Sequence, residues 1–266
     1  MSTCPLCAQK AQKHMTLPHT EVMACTNRFC ELMFAFPQLS SEELDAAYRQ
    51  FYYPAADIES APYENTPEEI LRHTFAEATS VFGPLKGKSL LDFGCGVGGL
   101  CRIGREYGLI TTGIEPDVFA RQRAMTTGEL NVYASVDELR AANPEARFDI
   151  ITSWDVIEHL REPWKELEQL SKLLRPGGRL LLSTPNAGSL RARLQGQRWE
   201  NMINPTHFYY FTRRSLRLAL QRAGISEITE WRFPMPYPGH SWGRRLLNRA
   251  LLNLHLQGEF FVLARL

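Results

Sequence analysis

One stretch limits what this chain can fold into more than any other: Leu90-Leu91-Asp92-Phe93-Gly94-Cys95-Gly96-Val97-Gly98-Gly99. An apolar run ends in a turn with glycines at 94, 96 and 99, and a helix-forming segment follows. Glycine accepts positive φ and lets backbone come close to a ligand, so such a turn suits the mouth of a small-molecule site. Downstream, short apolar runs alternate with amphipathic stretches, the pattern of β-α-β winding and a parallel sheet. The fold class is therefore α/β. Strands are predicted at Ser89–Phe93, Leu109–Ile114, Asn131–Tyr133, Phe148–Ser153, Arg179–Ser183, Ile225–Arg232 and Glu259–Ala264. Helices are predicted between them, including Pro163–Leu174, stopped by Pro176-Gly177-Gly178, and Arg213–Ala223, stopped by Gly224.

Taken alone, G-x-G-x-x-G fits a dinucleotide site equally well. Asp92 shifts the balance. A carboxylate directly before the turn would repel a pyrophosphate and attract an ammonium group. Glu115 ends the next strand, in Gly113-Ile114-Glu115-Pro116-Asp117. It lies about 20 residues past the first glycine, where an acid can hold ribose hydroxyls. Together the two acids suit a nucleoside with a cationic amino-acid tail. The alternative makes Asp92 a turn residue and Glu115 a helix cap.

This segment resembles motif I of class I S-adenosylmethionine-dependent methyltransferases. Phe148 to Leu160 (Phe-Asp-Ile-Ile-Thr-Ser-Trp-Asp-Val-Ile-Glu-His-Leu) and Leu174 to Leu182 (Leu-Arg-Pro-Gly-Gly-Arg-Leu-Leu-Leu) resemble later parts of the same superfamily. The likeness covers about Ser80 to Leu266. It implies a Rossmann-like, seven-stranded, mostly parallel sheet whose last strand, Gly258-Glu259-Phe260-Phe261-Val262-Leu263, runs antiparallel. It also implies S-adenosylmethionine as cofactor. Asp92, Gly94 and Gly96, with Cys95 between the glycines, would then cradle the methionine end. Glu115, beside Pro116, would hold the ribose. Ser135, Val136 and Asp137, in the loop after the third strand, would flank the adenine, and Ser153 and Trp154 would lie beside the sulfonium.

Asp155, Glu158 and His159 are spaced i, i+3, i+4, so a helix beginning after the fourth strand would point all three the same way. His207 lies in a long connection, Asn204-Pro205-Thr206-His207-Phe208-Tyr209-Tyr210-Phe211-Thr212. An oxygen acceptor must lose a proton during methylation, and a neutral imidazole suits that task, which makes His159 and His207 candidate bases. Some quinone-ring and small-RNA O-methyltransferases carry Glu-x-x-Glu-His and a distant His that bind a divalent metal. This chain is similar, with Asp155 in place of the first Glu, and that resemblance adds Mg2+ as a candidate ion. The bland alternative makes Asp155 a helix cap and the Glu-His pair scaffold.

Cys4-Pro5-Leu6-Cys7 and Cys25-Thr26-Asn27-Arg28-Phe29-Cys30 form C-x2-C and C-x4-C pairs. In a reducing compartment such pairs read as thiolate ligands of a tetrahedral zinc. A small zinc-ribbon-like module is therefore expected over residues 1–40, followed by a helical linker or lid over 41–85. The methyltransferase domain would occupy 86–266, with an insertion at 234–258. Glu31 to Pro37 resembles the apolar strand that follows zinc knuckles at the front of some bacterial methyltransferases, which often modify sugars or other small metabolites. Cys95 and Cys101 read as packing residues.

A formal net charge of +1 supplies no global field towards nucleic acid or an anionic membrane. No apolar run approaches the roughly 18 residues that span a bilayer. No secretory signal is evident at the N-terminus, so a cytoplasmic protein is expected. The expected partner is a small-molecule methyl acceptor, a sugar or a phenolic metabolite. The competing expectation is an RNA methyltransferase docking through the zinc module and Arg191, Arg193, Arg198, Arg213, Arg214 and Arg217.

Overall fold

The computed structural model describes residues 2–51, 69, 71–73, 75–76, 82–230 and 258–265. The predicted insertion at 234–258 lies outside the described residues except for Gly258, as do most of the 41–85 segment beyond Phe51 and its Tyr52 and Tyr53.

Two sheets organise the described chain. Strands β1 (Ser2–Thr3), β2 (Lys10–Thr16), β3 (Glu21–Cys25) and β4 (Met33–Phe36) form an antiparallel N-terminal sheet. Seven strands form the main sheet: β5 (Ser89–Phe93), β6 (Ile110–Ile114), β7 (Asn131–Tyr133), β8 (Phe148–Trp154), β9 (Leu174–Pro185), β11 (Glu227–Glu230) and β12 (Glu259–Arg265). Its order is β11-β12-β9-β8-β5-β6-β7. Strands β5 to β9 are parallel, and β12 runs antiparallel to both β9 and β11. The expected antiparallel last strand is present.

Alternating side chains explain why this sheet is covered on both faces. Leu90, Ile150 and Leu181 pack with Leu100 and Ile103 of the helix Gly99–Glu106. Leu91, Ile151, Leu180 and Leu182 join a second cluster with Leu167 and Leu170 of the helix Pro163–Leu173 and Leu216 and Leu220 of the helix Arg213–Arg222. Strands buried on both faces read as nearly continuous apolar runs, as these do. From β5 the chain winds to β6 and β7 on one side, then returns to β8 on the other. Asp92 faces Thr152 in that β5–β8 pairing. A reversal of this kind opens a crevice beyond the carboxyl ends of the strands.

Several boundaries differ from expectation. Pro176-Gly177-Gly178 does not follow a helix end in a loop; β9 begins directly at Leu174. The three residues are accommodated as an irregularity between the Phe148–Leu174 and Ile150–Arg179 pairs, with Gly177 at φ 77°. Ser40 caps the helix Ser41–Phe51: its hydroxyl accepts from Glu43 N–H, and its own N–H donates to the Glu43 carboxylate. That reciprocal pair is a capping box. Thr212 and Ser215 form another at the helix Arg213–Arg222.

The N-terminal sheet is joined to the body by a strand the sequence did not announce. Strand β10 (Tyr209–Tyr210) pairs antiparallel with β4 and becomes its fifth strand. One face of this sheet places Cys4, Leu6, Met23 and Phe34 in the same apolar cluster as the helix Pro163–Leu173. The other packs Leu17, Val22 and Tyr210 against Trp199 and Met202 of the 186–212 connection.

Candidate functional site

At the carboxyl end of β5, backbone geometry builds a cradle. Gly94, Gly96 and Gly98 all have positive φ, at 80°, 53° and 82°. A Cβ on Gly94 would stand 2.4 Å from Val156 Cγ2, so glycine there lets the turn after β8 come close. A Cβ on Gly96 would meet nothing within 4 Å. Space for a ligand lies over that backbone. Gly94 and Cys95 both donate to the Ile114 carbonyl, at 2.8 and 3.0 Å, which ties the turn to β6.

Both expected acids face this turn. Asp92 is buried and accepts from the Thr152 hydroxyl at 2.8 Å. Burial raises its pKa to about 7, with the Thr152 bond opposing and the Glu115 charge assisting. Glu115, also buried, accepts from Gly96 N–H at 2.8 Å and from Asp117 N–H at 2.9 Å. Burial raises its pKa, and the two amide donors oppose the rise. Glu115 is no helix cap: Asp117 caps the helix Val118–Gly128 by accepting from Ala120 N–H. Buried carboxylates near an open backbone cradle suit a cationic, hydroxyl-bearing ligand.

The neighbouring residues take varied positions. Cys95 is buried beneath Gly113, where a Cβ would lie 2.5 Å from its sulfur, so only its backbone faces the cradle. Pro116 is exposed. Of Ser135, Val136 and Asp137 only Ser135 stays in the loop: it caps the helix Val136–Ala142, Asp137 sits in the first turn of that helix and Val136 is buried in the core. Ser153 and Trp154 end β8 as expected, and Ser153 Oγ and Trp154 Nε1 are buried without hydrogen-bond partners among the described residues.

Beyond β8 the expected α-helix is absent. Asp155 has a positive φ of 51°, and only a 3-10 turn, Ile157–His159, follows. The cause is visible in the sheet: Asp155 N–H is still directed to β9, at 3.2 Å from the Ser183 carbonyl, which holds the backbone out of helical course. Its carboxylate accepts from Ser183 Oγ at 3.0 Å and shares a hydrogen bond with Glu259. Asp155 therefore faces β9 and β12. Glu158, His159 and His207 are brought together without it, their ligating atoms all within 4.8 Å of one another.

This trio is held in detail. Glu158 accepts from the Thr184 hydroxyl at 2.8 Å, while its Oε1 has no hydrogen-bond partner among the described residues. His159 Nδ1 lies 3.1 Å from the Thr206 carbonyl, and His207 Nδ1 lies 2.9 Å from the Asn201 carbonyl. A carbonyl can only accept, so each Nδ1 carries hydrogen and each Nε2 carries the lone pair. Asn204 Nδ2 stands 3.1 Å from His207 Nε2, and its Oδ1 accepts from Thr206, so the amide donates to that lone pair. The two rings meet edge to face with centroids 4.5 Å apart. Burial lowers the His159 pKa to about 4 and that of His207 well below its ordinary value, helped by His159. Both imidazoles are neutral near pH 7.

The four N-terminal cysteines also converge, with all four sulfurs within 4.8 Å of one another. Cys4 and Cys30 sulfurs are 3.8 Å apart, those of Cys7 and Cys25 3.4 Å. Ligands about 2.3 Å from a tetrahedral zinc stand about 3.8 Å from each other, so the spacing fits the ion. Amide N–H groups of Leu6, Asn27 and Leu32 point to the sulfurs of Cys4, Cys25 and Cys30, each two residues back. The residues after the second cysteine of each pair, Ala8 and Glu31, both have positive φ. Two similar knuckles thus face each other. Burial pushes the Cys25 thiol up to about 12 and, after its bond to Cys4, raises Cys30 as well. Thiols this close would all ionise only around a cation.

Comparison with known proteins decides the family. The profile of a family described as a methyltransferase domain matches residues 68–240. The chain belongs to this methyltransferase family. A ubiquinone biosynthesis O-methyltransferase from Coxiella burnetii (strain Dugway 5J108-111) is 29% identical over 181 residues, 66% of this chain and 72% of that protein. Another of the same name from Aeromonas salmonicida (strain A449) is 36% identical over 113 residues, 41% of this chain and 48% of that one. In fold, the methyltransferase resembles a SAM-dependent methyltransferase from Archaeoglobus fulgidus. The TM-score is 0.56 at 18% identity, covering 85% of this chain and all of that one. A Haemonchus contortus phosphoethanolamine N-methyltransferase 2 in complex with S-adenosyl-L-methionine gives 0.53 at 15%, covering 87% and 60%. This enzyme is thus a methyltransferase, and its fold is that of S-adenosylmethionine-dependent relatives.

Sequence reading missed several polar partners in the methyltransferase. Thr152, Ser183 and Thr184 lie inside apolar strands and bond Asp92, Asp155 and Glu158. Glu259 carries one signal in the sequence, a charge opening an otherwise apolar run. Asn204 and Thr206 had no signal beyond their nearness to His207.

Proposed function

We propose that this methyltransferase moves a methyl group to an oxygen of a small phenolic or sugar-like acceptor. The observation that carries the reading is the Glu158–His159–His207 trio beside the glycine cradle. S-adenosylmethionine, when bound, supplies an electrophilic methyl group on a sulfonium. In this reading Asp92 binds its ammonium, Glu115 its ribose, and Gly96 leaves the approach open. Ser135 to Asp137 border the adenine, and Ser153 and Trp154 the sulfonium. The acceptor hydroxyl would give its proton to His159 Nε2, or to His207 Nε2 in exchange for the Asn204 amide, as its oxygen takes the methyl. Positioning in line supplies much of the acceleration. The two O-methyltransferase relatives support an oxygen acceptor.

One observation favours a second role for the trio. A carboxylate and two imidazoles, each with Nδ1–H held by a carbonyl, is also how metal-ligating histidines are oriented. In that version a hard divalent cation such as Mg2+ would sit at Glu158, His159 and His207, displacing the Asn204 amide from His207 Nε2. The cysteine knuckles are read as a structural zinc site, and residues 1–40, 41–85 and 86–266 as knuckle module, linker and catalytic body. The RNA alternative lacks comparable support, since Arg191, Arg213 and Arg214 are already paired with Glu200, Glu230 and Glu31.

Methyl-labelled S-adenosylmethionine offered with catechols and phenolic acids, with sugars and with RNA tests the proposal. Label in a phenolic or sugar ether supports it. Label in RNA, or on carbon or nitrogen alone, overturns it.

A further inference from the structure

Phe208 is held through its backbone from two sides. Its carbonyl accepts from Ala35 N–H of β4 at 2.9 Å, and its own N–H donates to the Glu158 carbonyl at 2.8 Å. His207 directly precedes it. Two residues past His159, the Arg161 carbonyl accepts from the Tyr209 hydroxyl at 2.8 Å. That hydroxyl accepts in turn from Gln38 Nε2 at 3.2 Å, and Arg161 Nη2 donates to the Leu39 carbonyl at 2.7 Å. Strand β4 and residues 38–39 therefore grip both segments that carry the histidines. Neither segment has much regular structure of its own: His159 ends a three-residue 3-10 turn, and β10 has two residues. Pieces that short take their geometry from what they pair with. The N-terminal sheet has a separate anchor on the body, where Arg222 Nη1 donates to the Pro5 and Leu6 carbonyls at 3.1 and 2.9 Å.

The geometry points to a part for the N-terminal sheet in the reaction: β4, with Gln38 and Tyr209, positions His159 and His207 against Glu158. This rests on the acceptor-side reading of the trio given above. In this role the sheet need touch neither acceptor nor cofactor. It acts by fixing two imidazoles whose misplacement by about 1 Å can cost on the order of 100-fold in rate. Cofactor affinity, set at β5 and β6, is independent of it.

Tyr209→Phe and Gln38→Ala test the link while keeping the buried ring, and Ala35→Pro removes the donor to Phe208. Arg222→Ala is the control, loosening the other anchor. Three readouts are taken: the Cε1–H NMR signals of His159 and His207, turnover of S-adenosylmethionine with an accepted phenol, and the Kd of S-adenosylhomocysteine. Tyr209→Phe should shift the histidine signals and lower kcat about tenfold, the scale of one buried hydrogen bond, with Kd within about twofold. Ala35→Pro, where it folds, should lose more; where it does not, Tyr209→Phe decides. Arg222→Ala should lower Tm and move neither signal nor kcat. Unmoved signals and kcat in both Tyr209→Phe and Gln38→Ala overturn the inference, as does an equal kcat loss in Arg222→Ala. Signals that move while His159→Ala and His207→Ala retain full turnover remove the trio's catalytic role and leave the positional claim standing.

Discussion

The glycine cradle and the acid–histidine trio sit at neighbouring strand ends but are built in opposite ways. The cradle belongs to two five-residue parallel strands in full register, Ser89–Phe93 against Ile110–Ile114. Its acids are already bonded, Asp92 to Thr152 and Glu115 to Gly96 and Asp117. The trio joins a 3-10 turn to a loop almost 50 residues away, and Glu158 keeps an oxygen unpartnered among the described residues. One site is made by the sheet itself; the other is assembled by tertiary contacts. Rigid pre-assembly suits a cofactor common to a whole class. Assembly from short pieces suits a part of the site that differs between acceptors.

The largest effect that would break this contrast lies in the trio. His159→Ala or His207→Ala should cut turnover by about 10²–10⁴-fold with cofactor affinity nearly unchanged, as expected for an acceptor-side base. If a chelator abolishes activity and magnesium restores it, the trio is a metal site. Rescue must come from an ion other than zinc, because chelation also threatens the cysteine knuckles.

Next in size is the cradle. Asp92→Ala and Glu115→Ala should each weaken S-adenosylmethionine binding by about 1–3 kcal/mol, read by calorimetry. The two glycines should separate cleanly. Gly94→Ala, driven into Val156, should lower Tm, whereas Gly96→Ala should weaken the cofactor with a smaller loss of Tm. Equal behaviour of the two would mean that the space over Gly96 is not where the ligand lies.

Much of this contrast was legible beforehand, and the reason is local. Asp92, the glycines and Glu115 are fixed by a strand, a turn and a second strand that are contiguous in sequence, so pattern alone placed them. The cysteine convergence was equally readable, whereas the antiparallel last strand followed from the family resemblance. Asp155 was not. Helical spacing put it with Glu158 and His159, but its backbone still belongs to the β8–β9 edge, and its carboxylate turned to Ser183 and Glu259. Strand β10 also escaped, because two residues carry no periodicity and pair only with a strand about 175 residues earlier. Val136 and Asp137 belong to the helix rather than to the loop expected at that strand end, since Ser135-x-x-Glu138 is a capping pattern that starts it.

A smaller effect sharpens the electrostatics of the cradle. Burial holds Asp92 protonated up to about pH 7 in the free protein, and a cationic tail favours the carboxylate. Affinity should therefore rise about fivefold as pH climbs from 6 to 7, with proton release on binding. Asp92→Asn should flatten the profile, and a flat wild-type profile would remove Asp92 from the ammonium site. The smallest effect on the cofactor is expected from the cysteines. Purified protein should hold about one zinc, lost in Cys4→Ser with Cys7→Ser, while cofactor Kd stays within about twofold. Metal-free protein prepared without chelator would contradict the zinc reading.

The most direct test of the division of labour is a paired titration of wild type, Glu115→Ala and His207→Ala. S-adenosylhomocysteine Kd and single-turnover methyl transfer to an accepted phenol are measured on each protein. The account predicts that Glu115→Ala loses affinity yet transfers at a near-normal rate once saturated, while His207→Ala binds normally and transfers at least about 100-fold more slowly. Normal transfer by saturated His207→Ala, or unchanged affinity in Glu115→Ala, would contradict it.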